Sequence, residues 1–200
     1  MYGSADISVL QGRIALYEDM KAYEALYERL APRLQRFSYS LVRSREAAEE
    51  VVSDVFIKLW QIRNTLDRVD NLQVYLYTIT KNFSLNYITR TYKHPVVSLD
   101  AMEVEPVIRL GNPEELYLSA EVAEGVRQAI RQLPPQCRLI FQLVKEDGLA
   151  YKEVADILHL SVLTVRNQLA IAVRKMAEAL PAFREGGAVP SPAPPRHAPE

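Results

Sequence analysis

The chain has 200 residues and a formal net charge of −1, with 48% hydrophobic and 24% charged residues, as expected for a globular protein of one or two small domains. Its single cysteine, Cys137, excludes an intramolecular disulfide, and no apolar run approaches the ~20 residues that a transmembrane helix needs. The N-terminus lacks the basic flank and apolar segment of a signal peptide. We therefore expect a cytoplasmic protein without stable membrane insertion. The 7 glycines and the scarcity of alternating runs predict an all-α fold.

The first helical domain is predicted over residues 19–90, with residues 1–18 as an N-terminal extension. An apolar stripe runs from Tyr23 to Leu41, and Pro32 inside it is expected to kink or break the helix. Ser44 is the expected N-cap of a second helix, whose apolar face includes residues 51–59. The other face of this helix is polar and carries Glu49, Glu50, Ser53, Asp54 and Lys58.

A third helix is predicted from about Asn71 to Tyr92, and it lies in a stretch without any acidic residue from Asn71 to Leu99. Aromatic and amide side chains alternate along it with a few cations, a combination that suits single-stranded nucleic acid. The periodicity places Tyr75 and Phe83 in the core. The residues that we expect at the surface of this helix, off the core stripe, are Tyr77, Asn82 and Asn86.

The second half of the chain begins after a predicted flexible linker, residues 91–118, which contains several prolines and lacks sustained periodicity. A second helical domain is predicted over residues 119–180. Within it, the Leu133-Pro134-Pro135 segment ends one helix, and Cys137 lies on the apolar face of the next. Residues 181–200 are rich in proline and alanine, so we expect a disordered tail.

The second domain ends in a predicted helix-turn-helix. Residues 151–158 are predicted to form one short amphipathic helix, and residues 159–161 are predicted to form the turn. Ser161 is the expected N-cap of a second helix. No acidic residue occurs from Ile157 to Ala177, as expected for a helix that approaches phosphates. The side chains that we expect to face outward from the second helix, where they can bind base edges and phosphates, are Thr164, Arg166, Asn167 and Gln168. Helix pairs of this kind also occur as plain packing units.

Three ordered segments carry a resemblance to a known family: residues 47–60, residues 76–82, and residues 133–138 leading into residues 148–155. Together they resemble the extracytoplasmic-function (ECF) sigma factors of bacterial RNA polymerase. The resemblance implies two helical domains joined by a flexible linker, with core RNA polymerase and promoter DNA as partners, no cofactor, and often an anti-sigma factor. It also accounts for the low net charge, because the polymerase would supply most of the DNA affinity.

The resemblance also implies roles for individual residues. The polar face that would bind core polymerase comprises Glu49, Glu50, Asp54 and Lys58. The single-stranded minus-ten element would meet Tyr77, Lys81, Asn82, Asn86 and Arg90. The duplex minus-thirty-five element would meet Lys152, Thr164, Arg166, Asn167, Gln168 and Arg174. Leu163 and Ile171 depart from the polar pattern, because they are apolar at outward or semi-outward positions of the second helix, where they could contact thymine methyls or packing partners.

Three alternatives remain open at this point. A conventional transcription regulator would pair the same C-terminal module with a sensing or dimerising domain, but it gives no reason for the acid-free aromatic helix. A helical adaptor without DNA contact is a further alternative. An enzyme is disfavoured because His94, His159 and His197 lie far apart, and because no metal-ligand spacing, phosphate-binding glycine loop or nucleophile motif is present.

Overall fold

A computed structural model describes residues 6–92, 125 and 128–179, and every regular element in those ranges is helical. This result confirms the all-α prediction. The first domain contains helices α1 (Ile7–Tyr17), α2 (Met20–Val42), α3 (Arg45–Gln61) and α4 (Leu72–Tyr92), with a 3₁₀ helix (Arg63–Arg68) before α4. The second domain contains α5 (Pro135–Phe141), a π-helical turn (Gln142–Glu146), α6 (Tyr151–Leu158) and α7 (Val162–Ala179). Most of the predicted linker and the whole predicted tail lie outside the described residues.

Helix boundaries in the first domain are set by side-chain caps. Asp19 accepts hydrogen bonds from the backbone N–H groups of Lys21 and Ala22 at 2.9 and 3.2 Å, and Ser44 Oγ accepts one from Ala47 at 3.1 Å. Each cap satisfies donors that have no partner within the helix. The predicted Ser44 cap is therefore confirmed.

Pro32 was expected to kink or break its helix, and helix α2 continues through it without a break. Pro32 is exposed, whereas Leu30, Ala31 and Leu34 around it are at most 2% exposed. Proline removes one backbone hydrogen bond, but the burial of these apolar neighbours favours a continuous helix. Tertiary packing outweighs the local preference at this position.

The core of the first domain lies between α2, α3 and α4, and α1 packs against it. Leu10 and Ile14 of α1 are fully buried. Gln11 donates from Nε2 to the carbonyls of Leu66 and Val69, at 2.6 and 2.7 Å, and so ties α1 to the 3₁₀ helix. Residues 7–17 are thus part of the folded domain rather than an extension of it, which corrects the boundary that we expected at residue 18.

Helices α6 and α7 form the predicted helix-turn-helix. Ser161 Oγ accepts a hydrogen bond from the Thr164 N–H at 2.9 Å and caps α7 as expected. His159 ends α6 with a φ of 56°, a left-handed conformation that glycine usually supplies. The apolar side chains that face one another across the pair are all at most 5% exposed: Val154, Ile157, Leu158, Val165, Leu169 and Ala172.

The two domains are packed together, with α4 of the first against α6 of the second. Asn71 Nδ2 donates to Glu153 Oε1 at 2.9 Å at one edge of this contact. Arg33 and Arg36 of α2 reach Asp147, which precedes α6. In the described ranges, no helix has the length and apolarity needed to cross a membrane.

Candidate nucleic-acid and polymerase interfaces

The outward face of α7 is exposed, and it carries no acidic side chain from Val162 to Ala177. Arg166, Asn167 and Arg174 are exposed, while Val165 is fully buried on the opposite face. Leu163, in the first turn, is 64% exposed. Arg174 lies 4.0 Å from Glu178, a pair so exposed that water screens most of its attraction. The arrangement leaves Arg166 and Asn167 available to a ligand in the position expected for base contacts.

Two predicted contacts on α7 are placed differently from the expectation. Thr164 is half-buried, and its hydroxyl lies 2.8 Å from Ser161 Oγ within the N-terminal cap. Gln168 is half-buried as well, and its Oε1 accepts a hydrogen bond from the Cys137 thiol at 2.6 Å. Both polar groups are therefore engaged within the second domain. The expectation that they face outward holds only in part, since their position at the edge of the buried face brings them to intramolecular partners.

Lys152 lies on α6 and is exposed next to the helix N-terminus. Glu153 beside it accepts a hydrogen bond from the Ala150 N–H at 2.8 Å, and this contact fixes the start of α6. Lys152 therefore projects from a rigid helix end, as a phosphate contact requires.

The surface of α4 contains three of its five predicted contacts. Asn82, Asn86 and Arg90 are exposed and recur every four residues, so they form one stripe along the helix. The stripe combines two amides and one guanidinium without a carboxylate. These groups can bind base edges and phosphates.

Tyr77 is fully buried, so its predicted surface position is wrong. Its ring packs against Phe37 with centroids 5.3 Å apart. Burial, and then the neighbouring carboxylate of Asp147, raise the pKa of Tyr77. A side chain enclosed in this way cannot stack on a base while the domains are packed.

Lys81 is only 4% exposed, which also contradicts the prediction. Its Nζ donates to the carbonyl of Ile157, in the last turn of α6, at 2.5 Å. The ammonium group therefore lies at the negative end of the α6 dipole, a favourable position for a cation. Burial lowers the pKa of Lys81. While α6 covers α4, Lys81 is not available to a phosphate.

A buried ion pair beside Tyr77 joins the domains. Arg36 Nη2 lies 3.0 Å from Asp147 Oδ1, with side chains 14% and 0% exposed. Arg33 donates to the backbone carbonyl of Asp147 at 3.2 Å. Burial raises the pKa of Asp147, and Arg36 opposes this shift. Sequence reasoning missed this cluster because Arg36 and Asp147 are 111 residues apart and no local pattern connects them.

The polar face of α3 is exposed as predicted. Glu49, Glu50, Asp54 and Lys58 all face solvent, and Ile57 among them is 55% exposed. The opposite face is anchored by the fully buried Val52, Val55 and Leu59. The helix therefore presents a mixed-charge surface with an apolar centre, a composition that suits protein–protein contact.

Metal chemistry has no candidate site among the described ranges. No group of three or more His, Cys, Asp or Glu side chains there could hold a metal ion. His159 is exposed in the helix-turn-helix, and Cys137 is buried in the core of the second domain.

Comparisons with known proteins agree with this geometry. Residues 26–94 match the family model of Sigma-70 region 2, and residues 123–176 match that of Sigma-70, region 4. The ECF RNA polymerase sigma-E factor of Escherichia coli (strain K12) is 30% identical over 158 residues, which cover 76% of this chain and 82% of the relative. The RNA polymerase sigma-H factor of Pseudomonas aeruginosa is 26% identical over 175 residues, covering 84% of this chain and 91% of the relative.

Two solved structures share the fold. One is CnrH in complex with the cytosolic domain of CnrY, with a TM-score of 0.57, 20% identity and coverage of 88% of this chain and 99% of that one. The other is the sigma factor RpoE in complex with the anti-sigma factor NepR from Bartonella quintana, with a TM-score of 0.57, 23% identity and coverage of 80% and 98%. Both family models and the sigma-E relative lead to one conclusion: this chain belongs to the extracytoplasmic-function family of RNA polymerase sigma factors.

Proposed function

We propose that this protein binds core RNA polymerase in the cytoplasm and directs it to the promoters of one regulon, with promoter contacts divided between its two domains. The observation that carries the proposal is the exposed face of α7, which has no acidic residue from Val162 to Ala177 and is held on a capped and well-packed helix-turn-helix. Sigma factors initiate transcription and are not enzymes, so the surfaces rather than a catalytic centre define what this chain does.

The minus-thirty-five element is the proposed ligand of α7. Arg166 and Asn167 lie in the second turn, and the N-terminal part of a recognition helix contacts base edges in the major groove. A bidentate contact of Arg with guanine or of Asn with adenine contributes about 1–3 kcal/mol of discrimination. Arg174 and Lys152 are assigned to phosphates, which fix the position of the protein without carrying sequence information.

The melted minus-ten strand is the proposed ligand of α4, through Asn82, Asn86 and Arg90. Lys81 can contact this strand only after α6 has separated from α4. The names of the two promoter elements place them about 25 base pairs apart, which is about 85 Å of duplex. A packed body of this size is only about 40 Å across. The domains therefore have to separate before both elements are bound.

Core polymerase is the proposed partner of the exposed face of α3, with Glu50 and Asp54 at its centre and Glu49 and Lys58 beside them. An anti-sigma factor is a further proposed partner, because both structural neighbours were solved as complexes, one with the cytosolic domain of CnrY and one with the anti-sigma factor NepR. Either partner would act on the equilibrium between packed and separated domains.

The central test combines the purified protein with sigma-free core polymerase on a promoter library. We expect specific transcripts that require both components. Arg166→Ala should flatten the preference at one or two positions of the minus-thirty-five element, whereas Arg174→Ala should weaken binding evenly across sequences. Tight, specific promoter binding by the protein alone, without stimulation of core polymerase, would favour a conventional regulator instead.

A further inference from the structure

An apolar side chain lies at the centre of the face that α7 presents to solvent. Leu163 is 64% exposed in the first turn of the helix, although leucine is a residue that usually lies inside. The cap formed by Ser161 and Thr164 fixes the backbone on which it stands. Leu163 therefore projects from a rigid part of the helix-turn-helix.

The helical register shows which other side chains share this face. At about 100° per residue, Ala170 and Arg174 lie within about 20° of Leu163 around the helix axis. Arg166 lies about 60° to one side and Asn167 about 40° to the other. Leu163 is thus flanked by the two proposed base-contacting residues and lies one turn nearer the end of the helix that enters the groove.

The edges of the bases decide what such a side chain favours. In the major groove the C5-methyl of thymine is the apolar group, while the other edges are hydrogen-bond donors and acceptors. A leucine placed against those polar groups would remove them from water without replacing their hydrogen bonds. Against thymine it would bury a methyl group at a gain of about fourfold in affinity.

From this geometry we infer that Leu163 is a specificity-determining residue that contacts a thymine methyl in the minus-thirty-five element. The inference rests on the proposed function of α7 and adds the chemical group that the helix recognises. Leu163, at the centre of the exposed face of α7, is thereby assigned to direct contact with a base rather than with a protein partner.

The test uses the holoenzyme assembled from the full-length chain and core polymerase. The wild-type holoenzyme first selects its preferred minus-thirty-five sequence from a randomised duplex library. Each thymine of the selected element, on either strand, is then replaced in turn by deoxyuridine, which lacks only the methyl group. We expect one replacement to weaken wild-type binding about fourfold. Leu163→Ala should bind the thymine and deoxyuridine duplexes equally at that position.

Val162→Ala is the matched control, because Val162 is also aliphatic and 42% exposed but points about 100° away around the helix. It should keep the fourfold preference. The inference is overturned if the selected element contains no thymine, or if no deoxyuridine replacement weakens wild-type binding. It is also overturned if Leu163→Ala keeps the fourfold preference while its affinity for both duplexes falls by the same factor, as loss of a protein or backbone contact would cause. Failure of the wild-type holoenzyme to select any sequence would instead contradict the proposed function itself.

Discussion

Removal of the Asp147 carboxylate should loosen the contact between the two domains. Asp147 is fully buried and is paired at 3.0 Å with Arg36, whose side chain is 14% exposed. Breaking a buried ion pair by deleting one partner costs about 3–5 kcal/mol. Arg36 retains some water and also donates to the Pro32 carbonyl, so the lower end applies. About 3 kcal/mol corresponds to a shift of about a hundredfold in the equilibrium between packed and separated domains.

The burial of Lys81 provides the assay. In the packed state its Nζ is covered by α6 and bound to the Ile157 carbonyl, so an amine-reactive acylating reagent reaches it only when the domains separate. Peptide mapping by mass spectrometry should show slow acylation of Lys81 in the wild type, next to rapid acylation of the exposed Lys58 and Lys152. In Asp147→Ala the rate at Lys81 should rise by up to about a hundredfold, with the exposed lysines as its ceiling.

Glu178→Ala is the control, since it removes an acid from an exposed pair whose members are 4.0 Å apart. It should leave the acylation of Lys81 unchanged. Two results would refute the reasoning. Acylation of Lys81 at the rate of Lys58 in the wild type would mean that the domains are not held together. An unchanged rate in Asp147→Ala would mean that this ion pair does not hold them.

Three further predictions concern other parts of the structure. Tyr77→Ala should lower the unfolding free energy by about 3–5 kcal/mol, because it leaves a cavity in the core, and it should impair transcription equally on duplex and premelted templates; a loss on duplex templates alone would restore a role in promoter opening. Because burial raises the folded-state pKa of Asp147, ionising this carboxyl costs more in the folded state than in the unfolded state. The pH-dependent part of its contribution to stability is therefore fully present below the unfolded pKa and is lost as pH rises through the raised pKa, and the ion pair with Arg36 supplies what remains at neutral pH. The difference in unfolding temperature between the wild type and Asp147→Asn should therefore shift against the wild type as the pH rises from 3 to neutral. A difference that stays constant over this range would contradict the prediction. Charge reversal at both Glu50 and Asp54 should weaken binding to core polymerase while circular dichroism stays unchanged, since both are exposed; unaltered core affinity would remove them from that interface.

The sequence was sufficient to predict the helices that have a single apolar stripe packed against a single core. Helices α3, α6 and α7 are of this kind, and their caps at Ser44 and Ser161 could be identified from residue type and position. Helix α4 is different because it is covered on two sides, by α2 and α3 and again by α6. A single stripe therefore describes only part of its buried surface, which is why Tyr77 was expected at the surface and Lys81 among the contacts of the minus-ten element.

The contact that buries Lys81 also explains why the sequence did not predict its burial. Lysine is rarely buried unless it is paired, and its acceptor here is a backbone carbonyl 76 residues further along the chain. A carbonyl carries no residue-type signal, because every residue has one. Its power to bind a cation comes from its place at the end of α6, which only the packing of the domains reveals. Long-range contacts to backbone groups are therefore the part of the site that pattern analysis does not reach.

Packing of the two domains also reduces the number of cations on α4 that are available to bind DNA phosphates. Helix α4 carries two cations, Lys81 and Arg90, and the first is occupied by Ile157. Each phosphate neutralised by a cation contributes about 0.7 to the salt dependence of binding to single-stranded DNA. Separation of the domains frees Lys81, so an open protein should show a steeper salt dependence than a packed one on the same strand. DNA that engages Lys81 binds only the open form. It therefore shifts the equilibrium toward separated domains, by an amount set by its difference in affinity for the two forms. Core polymerase that favours the open form would strengthen that DNA contact by the same coupling free energy.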